Sequence, residues 1–94
     1  MQWDVDGYVA SLTAVSPHTR EAYGRDARQF VEWAERGGCA KPEALDHATL
    51  RRYLAYLTTQ RLAKRTIARK AAGLRSFLRY LKRHGTVGLL YNTD

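Results

Sequence analysis

Nine lysines and arginines fall within RLAKRTIARKAAGLRSFLRYLKRHG, residues Arg61 to Gly85, and no carboxylate accompanies them. Side chains of this kind hold polyanions: arginine offers a planar fork of donors and lysine a compact point charge. Ile67, Ala71, Leu74, Phe77, Leu78 and Leu81 recur among them at steps of three and four. On a helix these six form one apolar stripe, leaving Lys64, Arg65, Arg69, Lys70, Arg75, Arg79, Lys82 and Arg83 the remaining positions. No acidic residue lies one turn away to neutralise them, so the face suits an external polyanion.

Other chemistries have weaker support. Six tyrosines are present, but a phenol needs an adjacent base or cation cluster to act as a nucleophile, and helical spacing explains them more simply. Tyr8, Tyr23 and Tyr53 read as core, and Tyr56 and Tyr80 as the edges of core stripes. His18, Cys39, His47 and His84 stand at no metal-ligand spacing, His47 reads as a first helical residue, and His84 reads as a cation near a helix end. No paired carboxylates, glycine-rich phosphate loop or Ser-His-Asp set has supporting context. No catalytic residue, metal site or cofactor is therefore assigned.

The elements that position the basic face come from a chain of 94 residues, 45% hydrophobic, which fits one small domain without room for a deep catalytic pocket. The single cysteine excludes an internal disulfide, and neither a signal segment nor an apolar run of membrane-spanning length is present. A soluble, cytoplasmic protein with no membrane partner is expected. Its net charge of +7 is unevenly spread: Met1 to Asp46 carries eight carboxylates against five cations, whereas His47 to Asp94 carries eleven cations against the terminal Asp94 alone. A nucleic-acid surface explains this asymmetry better than solubility does.

In chain order, Trp3, Val5, Tyr8, Val9 and Leu12 predict a first helix over about 3–13. Ser16 as a cap and Pro17 at the first helical position open a second over 17–36, with Tyr23, Ala27, Phe30, Val31 and Ala34 inside and Gly37-Gly38 as a left-handed stop. Pro42 keeps the following loop open. Asp46 caps a third helix over 47–61, with Leu50, Tyr53, Leu54 and Leu57 as its core row. The basic stretch forms the fourth over 64–84, with Gly73 a costly interior residue and a candidate bend. The tail after Gly85, TVGLLYNTD, loses periodicity, and no strand pattern occurs. The expected fold is an all-α four-helix bundle whose core includes Phe30, Leu54, Leu57, Ile67, Leu74, Phe77, Leu78 and Leu81.

The segments SPHTREAYGRDARQFVEWAERGG, ALDHATLRRYLAYL and KRTIARKAAGLRSFLRYLKRHG resemble the N-terminal, SAM-like core-binding domain of tyrosine recombinases, the Xer and phage-integrase group. The resemblance runs from about Trp3 to Gly85. Its most specific pieces are Thr19 with Tyr23 and Phe30, and Arg65-Thr66-Ile67 with Leu74, Arg75 and Phe77 ahead of Tyr80-Leu81. It implies a single core-binding domain over 1–94 that joins a C-terminal catalytic domain in a C-shaped clamp around recombination-site DNA. The partners it implies are double-stranded DNA, the catalytic domain of the same recombinase and other recombinase protomers on the DNA. The family's catalytic residues belong to that C-terminal domain, so none is carried onto this sequence. The tail departs from the family, since Tyr91-Asn92-Thr93-Asp94 has no Asn-Pro step.

The resemblance also places the start of the second helix and the first half of the fourth in the major groove. His18, Thr19 and Arg25 would come from the former, and Arg65, Thr66, Arg69 and Lys70 from the latter, with Lys64, Arg75 and Arg79 nearby for phosphate. The residue chemistry allows that division: Arg69 can present a fork to guanine while Lys64 and Lys70 act as point charges on phosphates. His18 and Thr19 also sit where a first helical turn must satisfy its own amides. The alternative function is a helical protein-interaction domain whose basic face meets an acidic protein.

Overall fold

The computed structural model describes residues 3–84, and four α-helices fill most of them: α1 (Val5–Ser11), α2 (Pro17–Arg36), α3 (His47–Thr58) and α4 (Lys64–Arg83). One 3₁₀ turn, Pro42–Ala44, lies in the loop between α2 and α3, and no strand occurs among the described residues. The expected all-α, four-helix architecture is the observed one. The expected irregular tail, 86–94, lies outside the described residues.

The helix starts follow local chemistry. Ser16 Oγ accepts the Thr19 amide at 3.1 Å, with Pro17 in the first turn. Asp46 Oδ1 accepts both the amide and the hydroxyl of Thr49, at 2.8 and 2.7 Å, and these two bonds hold its carboxyl below the ordinary range. At the end of α2, Gly38 takes φ +97°. Its amide donates to the Glu35 carbonyl at 3.2 Å while that of Cys39 donates to Ala34 at 2.8 Å. This paired closure of a helix C-terminus needs a left-handed residue, which glycine adopts without a Cβ penalty.

Three helices differ in their bounds from the sequence expectation. α1 covers 5–11 rather than 3–13, because Asp4, at φ +52°, caps it from outside and the backbone at Leu12 leaves helical geometry. α3 ends at Thr58 rather than 61. The hydroxyls of Thr58 and Thr59 donate to the carbonyls of Ala55 and Tyr56 at 2.6 and 2.7 Å, and Arg61 turns left-handed at φ +58°. α4 stops one residue short of 84, with His84 as its cap. It also runs through Gly73 without interruption. A Cβ there would come within 3.3 Å of the Tyr23 ring, so this glycine allows close packing of α2 on α4.

α2 is the central element: it packs against α1, α3 and α4. One core joins all four helices, with Trp3, Tyr8, Phe30, Phe77 and Leu81 fully enclosed. Several of its aromatic rings meet edge-on or tilted, as their quadrupoles favour: Phe30 to Tyr53 at 4.9 Å and Tyr8 to Phe77 at 5.0 Å between centroids. Of the expected core, Phe30, Leu57, Leu74, Phe77 and Leu81 are buried. Ile67 and Leu78 are only half-buried, and Leu54 is 39% exposed. α3 touches its neighbours with the Thr49, Tyr53 and Leu57 row, one position round from Leu54. Tyr23 is also half-buried, whereas Tyr80, expected at an edge, is inside.

Candidate nucleic-acid interface

The basic residues of α4 divide by burial into two groups. Lys64, Arg65, Arg75 and Arg79 are exposed, on the side away from the Phe77 and Leu81 row that faces the core. Thr66 is half-buried in the first turn. That turn begins at Ala63, whose side chain caps nothing. The first amides and the positive end of the helix dipole thus point the same way as Lys64 and Arg65. Such a combination suits phosphate on physical grounds.

Arg69 and Lys70 belong to the second group. The Asp26 carboxylate of α2, with only 3% of its side chain exposed, accepts Arg69 Nε at 3.0 Å and Nη2 at 3.1 Å, and Lys70 Nζ at 2.8 Å. Lys70 Nζ also donates to Gln29 Oε1 at 2.6 Å. The Lys70 side chain is 9% exposed, so it is an internal counterion and not the surface phosphate contact expected of it. The stripe around it explains why: Lys70 stands three residues after Ile67 and four before Leu74, on the face that packs against α2. Arg69 stays 38% exposed, but Asp26 already holds one side of its fork.

From α2, His18 and Arg25 are exposed and Thr19 is half-buried. The Thr19 amide donates to Ser16 Oγ, and the Ser16 hydroxyl donates to Thr19 Oγ1 at 3.1 Å. Thr19 therefore serves the cap of its own helix. Arg28, by contrast, makes an exposed pair with Asp6 at 3.4 Å, an arrangement that contributes little.

The sequence reading missed Asp26 and Gln29 as partners of the basic helix. A signal was there: Asp26 lies three residues after Tyr23 and four before Phe30, on the apolar side of its helix. A carboxylate at such a position requires a buried cation.

Three phenols show the opposite of nucleophile activation. Burial pushes Tyr53 up to about 12 and raises Tyr8, while the bond to Asp4 raises Tyr80. Each is held in its neutral form. No group of histidine, cysteine and carboxylate side chains suited to a metal ion occurs among the described residues, and no described helix is long and apolar enough to cross a membrane.

Comparison with known proteins fits this geometry. Residues 5–85 match the family model described as phage integrase, N-terminal SAM-like domain. Tyrosine recombinase XerC of Pelobacter propionicus is 52% identical over 75 residues, covering 78% of this chain and 24% of that protein. The XerC of Azotobacter vinelandii is 40% identical over 88 residues, covering 90% of this chain and 29% of that protein. The chain thus spans about a quarter of the length of the curated relatives it matches. No solved structure matches it significantly. With four helices, no described strand and a family match over residues 5–85, the chain belongs to the phage integrase N-terminal SAM-like domain family.

Proposed function

We propose that this chain is the DNA-binding module of a site-specific tyrosine recombinase, gripping recombination-site duplex through the major groove and positioning it for a separate catalytic domain. The observation that carries this reading is the exposed row Lys64, Arg65, Arg75 and Arg79 on a helix without a single carboxylate. Thr66 and the outer edge of Arg69 extend the row, and His18, Thr19 and Arg25 supply a second edge from α2. The module contributes binding energy and orientation to chemistry performed by other residues. Its partners are duplex DNA, the recombinase's catalytic domain and other protomers on the DNA, and its place of action is the cytoplasm. Six tyrosines notwithstanding, this chain alone is expected neither to nick supercoiled DNA nor to form a covalent adduct, since Tyr8, Tyr53 and Tyr80 have raised values that hold their phenols neutral.

Fluorescence anisotropy on short duplexes at low salt tests the reading. Lys64→Ala should weaken binding to all sequences alike and lower the salt slope by about one unit, as one fewer counterion is released. Arg36→Ala, at the far end of α2, should change little. Equal losses for both variants would show that total charge governs binding. A second reading, a helical protein-interaction domain, is favoured by Leu54 and Tyr56, large apolar side chains 39% and 37% exposed on α3. Absence of binding to any duplex would put it first.

A further inference from the structure

A carboxylate buried opposite a DNA-facing helix ought to weaken its grip, yet Asp26 is placed to do the reverse. Its oxygens take Arg69 side-on, through Nε and Nη2. A guanidinium has five N–H groups, and the side-on contact leaves the parallel end-on pair, one N–H each from Nη1 and Nη2, aimed away from Asp26. The Arg69 side chain is 38% exposed and stands one helical turn after the exposed Arg65. Lys70 and Gln29 complete the support: the Lys70 ammonium donates to both Asp26 and Gln29, which holds the carboxylate oxygens in place.

Resting on the DNA-binding reading above, we propose that Asp26 is a positioning residue for duplex recognition. It holds the Arg69 fork so that its outer edge meets a pair of acceptors on the DNA, either guanine O6 and N7 or two phosphate oxygens. A free arginine loses rotamer freedom when it binds, whereas one already bonded side-on has lost most of it beforehand. Lys70 contributes to recognition only through Asp26.

The test turns on the sign of the effect. Asp26→Asn removes a negative charge from a chain of net +7, so charge counting expects tighter binding. Positioning expects the reverse, a loss of roughly fivefold or more for a bidentate contact, measured by anisotropy on a G·C-rich duplex at low salt. In an Arg69→Ala background the same change should have little further effect, which a merely structural role would not produce. Arg69→Lys keeps the charge and the ion pair but not the fork, and should bind as poorly as Arg69→Ala. It decides the matter even where Asp26→Asn melts below the assay temperature by circular dichroism. A duplex carrying 7-deazaguanine identifies the acceptor: the Asp26→Asn loss disappears on it for a guanine contact and persists for phosphate. Unchanged or tighter binding by folded Asp26→Asn, or wild-type affinity for Arg69→Lys, overturns the proposal while leaving the DNA-binding reading intact. Failure of the wild-type chain to bind any duplex overturns both.

Discussion

The Tyr80 hydroxyl donates to Asp4 Oδ2 across 2.6 Å, joining the last turn of α4 to the residue that caps α1. The two side chains stand seventy-six positions apart, and the same Asp4 carboxylate accepts the Gly7 amide at 3.3 Å through its other oxygen. One exposed acid thereby starts the short first helix and fastens it to the basic one.

Removing either partner should loosen that connection by different amounts. Tyr80→Phe deletes one charge-assisted bond to a carboxylate that water still reaches, and should cost about 1 kcal/mol. Asp4→Ala also removes a helix cap and should cost about 1–2 kcal/mol. Urea unfolding of the two single variants and the double variant checks this, and strict additivity would show that the bond couples nothing.

Alkaline pH should destabilise the fold once tyrosines titrate in the unfolded chain while their folded counterparts still hold their protons. Tyr8, Tyr53 and Tyr80 all have raised values in the folded state, Tyr53 reaching about 12 from an ordinary 10.0. A raised acid contributes stability that is fully present below the unfolded value and is lost as pH climbs through the folded one. The Tyr53 contribution should therefore fade between pH 10 and 12. Tyr53→Phe should flatten that part of a stability-against-pH curve, measured by urea midpoints.

Burial separates apolar residues that look alike in the helical pattern. Phe77 is fully enclosed, Leu78 half-buried and Leu54 on the surface. Phe77→Ala should cost about 3–5 kcal/mol and Leu78→Ala less than the 2–5 kcal/mol of a buried leucine. Leu54→Ala should stay within about 0.5 kcal/mol. Thermal melts ranking Leu54 above Phe77 would contradict this core.

Arg61 joins α3 to α4 with φ +58°, a conformation that costs an ordinary side chain about 1–2 kcal/mol. Arg61→Gly should therefore raise the melting temperature or leave it unchanged. Arg79→Gly, inside α4, should lower stability by about 1 kcal/mol.

The sequence by itself determined the local parts of this protein. Ser16-Pro17, Asp46 and Gly37-Gly38 set helix ends through bonds to neighbours a few residues away, so the start of α2, the start of α3 and the end of α2 were legible. Period 3.6 fixed the helical class, and the absence of carboxylates around α4 pointed to a polyanion. Tertiary structure decided whatever depends on a partner distant in the chain. Helical spacing shows that Lys70 and Asp26 lie on the apolar sides of their helices, but not that those sides face each other; only the packing of α2 against α4 turns two anomalies into one ion cluster. The same packing withdrew Lys70 from the surface, fixed one edge of Arg69 and left Leu54 exposed, because spacing gives a side chain's direction and not what lies in that direction.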